Sequence, residues 1–224
     1  MRILFACLLL LTGASALAQE AEGRVAGPVS MLFPHRTAYL ELAPEDRSHF
    51  RLDYVVRSSA GVPAEDIGLW YLQDDTRTQL ELLPNGQVSN PPDAGILAAD
   101  PDVWTDQPGQ TMSMSLMFAY AGPDWQTPDR ADLVTGLEQA NRAVRRAAGV
   151  AALFAPDFKT VTFVFDGPVP QAWAIDDDGT RQALTGEDNR LDFRPRDRSN
   201  RSIVRLEFEA EPQRVLFNLS LIHI

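Results

Sequence analysis

The residues with the most obvious chemical potential are two acidic clusters, Asp74-Asp75 and Asp176-Asp177-Asp178-Gly179. A helix–loop–helix calcium site needs oxygen ligands at positions 1, 3 and 5, Gly at 6 and Glu at 12. Here the glycine comes fourth and the flanks alternate as strands do, so both clusters read as hairpin turns. His35 and His49 have no metal-ligand spacing around them, which argues against zinc. Gly-x-Ser-x-Gly, Ser-x-x-Lys and phosphate-cradling glycine loops do not occur. No metal or cofactor is expected. Glycoside-type hydrolysis needs only two suitably spaced carboxylates, and with 31 acidic residues the chain leaves that chemistry open without selecting a pair. Trp104 and Trp125 sit in Pro- and Asp-rich stretches, and aromatic rings beside carboxylates suit sugars or peptides. Trp104, Trp125 and His35, which follows Phe33-Pro34, are the candidate ligand or partner contacts.

The ends of the chain bear on where this chemistry would operate. Arg2, the apolar run Ile3–Leu11 and Ala16-Leu17-Ala18 form a signal-peptide pattern over residues 1–18, with cleavage after Ala18. The run is too short to span a bilayer, and no transmembrane helix is expected elsewhere. The only cysteine, Cys7, lies within the leader, so the mature chain has no thiol or disulfide chemistry. A periplasmic or secreted location follows. The net charge of −11 argues against nucleic acid as a partner. The last six residues, Leu219–Ile224, resemble a translated sequencing adapter, so His223 is assigned no chemistry.

Several elements must position the candidates. Residues 19–30 are small and polar and read as a flexible lead-in. Phe50–Val56 and Thr111–Tyr120 alternate as half-buried strands. Pro84-Asn85-Gly86 is a turn signal, and Ser89–Gly109 reads as a long loop with a helical turn at Gly95–Ala99. Residues 127–149 predict an amphipathic helix, with Thr127 as cap, Pro128 in the first turn and a Leu133, Leu137, Ala140, Val144, Ala147 stripe. Further strands are expected at Val161–Phe165, Pro170–Ile175, Thr180–Leu184, Leu191–Phe193, Ile203–Phe208 and from Arg214.

Two segments resemble each other: Trp70-Tyr-Leu-Gln-Asp-Asp-Thr-Arg77 and Trp173-Ala-Ile-Asp-Asp-Asp-Gly-Thr-Arg181. Each follows an alternating strand and precedes a Pro-containing loop and another such strand. One β unit occurring twice would give this order, as would two unrelated hairpins with acidic turns. Both tryptophans are expected in the core. The predicted class is α+β, mainly β: one or two small antiparallel β-sandwich modules of immunoglobulin- or transthyretin-like type, with one amphipathic helix between them. The expected division is residues 31–126, the helix at 127–149, and residues 158–218, followed by the tail at 219–224.

Leu83-Pro-Asn-Gly86, Pro91-Pro-Asp93, Ala99-Asp-Pro-Asp-Val103 and Gln107-Pro-Gly109 together resemble an uncharacterised family of exported proteobacterial proteins. The likeness covers residues 37 to 120. It implies export and β architecture and supplies no catalytic residues. The functional expectation is a non-catalytic binding or envelope-accessory protein whose partner is an unidentified protein or envelope component. A carboxylate-dependent hydrolase of an envelope polymer is the alternative.

Overall fold

The computed structural model describes residues 23–148 and 157–219. The leader and the ends of the chain beyond these bounds, with Gly149, lie outside the described residues. In chain order the elements begin with β1 (Arg24–Pro28), α1 (Val29–Leu32), α2 (Arg36–Leu40), β2 (Phe50–Ser58), β3 (Leu69–Gln73) and β4 (Thr76–Gln79). They continue with α3 (Ala94–Ala99), β5 (Asp102–Thr105), β6 (Met112–Tyr120) and α4 (Arg130–Ala148). The second β region holds β7 (Phe158–Val164), β8 (Ala172–Asp176), β9 (Arg181–Leu184), β10 (Arg190–Phe193), β11 (Ile203–Phe208) and β12 (Arg214–Leu219).

The protein is a mainly-β α+β structure with three antiparallel sheets and one long helix, α4, between the β regions; the sheets do not close into a barrel. A five-stranded sheet has the order β10-β7-β12-β6-β2. A four-stranded sheet has the order β1-β5-β3-β4, and a three-stranded one β11-β8-β9. The five-stranded sheet takes strands from both β regions, with β12 lying beside β6 through Leu216 and Ala119. One apolar cluster runs through strands of all three sheets and α4.

The pairing order repeats. In the first region β2 pairs with β6, while β3 pairs with both β4 and β5. In the second, β7 pairs with β12, while β8 pairs with both β9 and β11. The halves meet at β6–β12, so the run β2-β6-β12-β7 is symmetric about its centre. Strand β1 is an addition to the first half and β10 to the second. Each hairpin also places an arginine of its second strand on the tryptophan of its first. The Arg77 guanidinium is 3.7 Å from the Trp70 ring centroid, and that of Arg181 is 4.4 Å from Trp173.

Four local expectations are corrected. Residues 24–28, read as part of a flexible lead-in, form β1 against β5, and Arg24 donates to the carbonyls of Gln107 and Pro108. The stretch read as a long loop has the expected helical turn as α3, capped by Asp93 accepting from the Ile96 N–H, but also holds an unexpected strand, β5. The long helix starts at Arg130 rather than residue 127, because residues 126–129 run extended beside β11: the Leu206 and Phe208 N–H groups donate to Pro128 and Gln126. Thr127 hydrogen-bonds Asp124 instead of capping the helix. Trp70 is buried, but on the face of β3 opposite the core residues Leu69 and Tyr71, under Arg77 and Gly23.

Candidate functional site

The β2–β6 ladder puts Phe50, Leu52, Tyr54 and Val56 on one face with Met112, Met114, Leu116, Phe118 and Tyr120, since directly opposed residues share a face. Helix α4 lies over part of this face. Its early core residues, Leu133 and Leu137, are fully buried. One turn later the stripe passes to the smaller Ala140, Ala143, Val144 and Ala147. The sheet beneath keeps large side chains, Leu52, Leu116 and Phe118.

A cavity of about 490 Å³ opens there, within the range of small-molecule sites. Its floor is Phe50 and Leu52 of β2 with Leu116 and Phe118 of β6. One wall is Ala143, Val144 and Ala147 of α4, another is Tyr39 of α2, and Phe158 at the start of β7 closes an end. Leu116 and Phe118 are only half-buried, as expected of side chains facing a space that no described residue fills. His35, Glu41 and Arg146 stand at the polar margin.

Two buried amides two positions apart hold the roof. They point about 200° from one another around the helix. Gln139 accepts from the His49 N–H at 2.8 Å and donates to the Glu45 carbonyl at 2.7 Å and the Ser48 hydroxyl at 2.9 Å. Asn141 accepts from the Phe158 N–H at 2.8 Å and donates to its carbonyl at 3.0 Å. One amide ties α4 to the approach to β2, the other to β7, and both flank the cavity. Sequence reasoning missed them: a Gln and an Asn in a polar-rich helix look like solvent-facing residues. The same junction holds a hydroxyl–imidazole–carboxylate chain, with Ser48 Oγ 2.8 Å from His49 Nδ1 and His49 Nε2 3.4 Å from Asp132. Gln139 already donates to that hydroxyl, so these contacts serve the docking of α4. They lie outside the cavity lining.

The wall around Tyr39 is basic. The guanidiniums of Arg36 and Arg47 lie 5.6 and 5.2 Å from its ring centroid, and its hydroxyl donates to the Phe50 carbonyl. Arg36 donates to the Pro92 carbonyl, and the buried Arg47 Nε has no hydrogen-bond partner among the described residues. Burial pulls Arg36 below its usual pKa; Tyr54 and Tyr39 act the other way, and the like charge of Arg47 adds to the depression. Next to this wall Tyr54 is sealed: it packs edge-on against Phe33 and donates to the Pro34 carbonyl at 2.8 Å.

Of the three residues expected to contact a ligand, His35 lines the cavity, exposed and with its backbone at φ 64°. Trp104 and Trp125 lie elsewhere. Trp104 is not a loop residue: it is half-buried in β5, opposite Trp70 on the outer face of the four-stranded sheet. Four residues flanked by Pro and Asp are too few for their alternation to show in the sequence. Trp125 is half-buried against the core, with the Arg51 guanidinium 5.1 Å from its ring centroid. The acidic clusters form turns, Asp74 and Asp75 both at positive φ and Gly179 at φ 85°. Among the described residues no group of three or more His, Cys, Asp or Glu is placed to share a metal ion. No described helix is long and apolar enough to cross a membrane. Compared with protein-family models, curated proteins and solved structures, the chain shows no match to any.

Proposed function

We propose that the protein is an exported binding protein whose ligand seat is the cavity between α2, the β2–β6 ladder and α4. The observation that carries this reading is the mismatch of side-chain size across that gap. A helix that packs leucines on the sheet in one half presents the smaller Ala143, Val144 and Ala147 in the other, above Leu52, Leu116 and Phe118. Interiors are normally filled, because each unfilled contact forfeits dispersion energy. A persistent apolar hollow with a polar margin is the usual form of a small-molecule site. Export is supported by the leader pattern of residues 1–18. The repeated strand pairing supports reading the two β regions as copies of one small sandwich module, with the cavity between the first copy, α4 and the start of β7.

A carboxylate-pair hydrolase draws no support from this site, whose described lining holds one carboxylate, Glu41. The carboxyls with displaced pKa values, Asp124, Asp178 and Asp197, are all displaced downward by hydrogen bonds within turns. The test is saturable binding of a neutral apolar dye such as Nile red. The wild-type protein should bind it at one site, and Ala143→Leu, which restores a large side chain to the roof, should abolish binding while leaving the fold intact. Undiminished binding in Ala143→Leu would place the seat elsewhere.

A further inference from the structure

The cavity's surroundings carry charge of the wrong sign for this protein. The chain has a net charge of −11, yet three guanidiniums, those of Arg36, Arg47 and Arg146, gather around the cavity's mouth and its Tyr39 wall. Among the described residues none of the three lies within ion-pair distance of a carboxylate. Six described arginines are ion-paired and nine others are not, so what sets these three apart is position: Arg146 lines the cavity, and Arg36 and Arg47 flank its Tyr39 wall. Arg146 is exposed at the margin itself, and the two neighbours that face it across the cavity are His35 and Glu41. Arg142 and Arg145, on the same turn of α4, are paired with Asp46 and Asp157.

We infer that the ligand of this cavity is a single-chain amphiphile with a carboxylate head, the class of a fatty-acid anion. Its chain lies over Leu52, Leu116 and Phe118, and its head meets Arg146. This rests on the cavity being the ligand seat. The apolar floor selects a hydrocarbon chain, and the volume of about 490 Å³ suits one chain rather than several. A guanidinium offers a carboxylate two parallel N–H donors, a charge-assisted contact stronger than a neutral one. Arg36 and Arg47 need not touch the head: with Arg146 they outnumber the one carboxylate at the margin, Glu41, and positive charge beside a low-dielectric hollow favours an anion at its mouth.

Titration calorimetry with three chain-matched probes, dodecanoate, 1-dodecanol and dodecylammonium, kept below micelle formation, tests this on the full mature chain. Dodecanoate should bind roughly tenfold or more tightly than dodecanol, as expected for a hydrogen bond to a charged group. Dodecylammonium should bind weakest. Arg146→Gln should remove the preference for dodecanoate and leave dodecanol binding unchanged. Equal affinities for dodecanoate and dodecanol in the wild-type protein would overturn the headgroup assignment while leaving the cavity as an apolar seat. Tighter binding of the ammonium probe would overturn it equally. If no probe binds, the ligand-seat reading fails together with the headgroup assignment. Ala143→Leu should weaken dodecanoate and dodecanol alike, which locates the chain independently of the head.

Discussion

Ala119 of β6 faces Leu216 of β12, and this pair is the seam at which strands from the two halves of the chain enter one sheet. Tyr120 beside it and Phe217 on the neighbouring strand meet edge-on at 6.4 Å, beneath α4. Leu133 and Leu137 of α4 belong to the same apolar cluster as strands from both halves. Two units sharing a sheet and a core cannot lose their structure separately. Urea unfolding followed by far-ultraviolet circular dichroism and by tryptophan fluorescence should give one coincident transition. Two separated transitions would mean that the seam does not couple the halves.

Gly136 is where the helix comes closest to the seam. A Cβ there would lie 2.7 Å from the His49 carbonyl oxygen, 2.7 Å from Phe217 Cζ and 3.3 Å from Tyr120 Cδ2. In a free helix Gly→Ala gains about 1 kcal/mol. Here the helix must lift from the sheet, and overpacking of this kind costs typically 1–3 kcal/mol. Gly136→Ala should therefore lower the urea midpoint; a raised midpoint would show that α4 has slack over the sheet.

How far the fold was legible depended on the length of each pattern. Strands β2 and β6 announce themselves because large apolar residues recur at every second position, although β2 is buried on both faces from Leu52 to Val56, and α4 because its apolar stripe spans several turns. The Asp-rich turns were readable from local chemistry alone. Strands β1 and β5 were not. Val25 and Val103 are lone apolar signals among Gly, Pro and Asp, and their pairing is long-range. The joining of the halves at Ala119–Leu216 is likewise absent from any local window. Of the site, His35 was singled out. The cavity was not, because it arises from smaller residues of the helix stripe lying over large sheet residues, a relation between distant segments. The amides of Gln139 and Asn141 carry no pattern at all.

The tyrosines give a pH signature. Burial, above all, raises the Tyr54 and Tyr120 hydroxyls well beyond their ordinary value. Arg36 partly opposes this at Tyr54, and Asp132, Asp129 and Asp124 reinforce it at Tyr120. A group whose folded pKa is raised contributes stability that is complete below its unfolded value, about 10 for tyrosine, and that is lost as pH climbs toward the folded one. Alkali should therefore destabilise the protein progressively above about pH 10. In a titration by tyrosinate absorbance, at most two of the four tyrosines should ionise before circular dichroism reports unfolding. Ionisation of all four with the dichroism unchanged would contradict the burial of these hydroxyls.

The paired arginine–tryptophan contacts are structural. Arg77→Ala and Arg181→Ala should each cost about 0.5–1 kcal/mol, the usual worth of such a contact near the surface. The second also loses an exposed ion pair with Glu207, worth about 0–1 kcal/mol more. Urea midpoints should fall in both variants and dye binding should not change. A change in dye binding would tie the hairpins to the ligand seat.

The most direct test of the cavity as the ligand seat is a methyl-resolved NMR titration of the wild-type protein with 1-dodecanol. The methyl signals of Leu52, Leu116, Ala143 and Ala147 should shift together and saturate at one equivalent, while Leu72, on the outer face beside Trp70 and Trp104, stays fixed. Shifts at Leu72 and the Trp104 indole, with the four cavity methyls unmoved, would contradict it and return the binding surface to the outer tryptophan face.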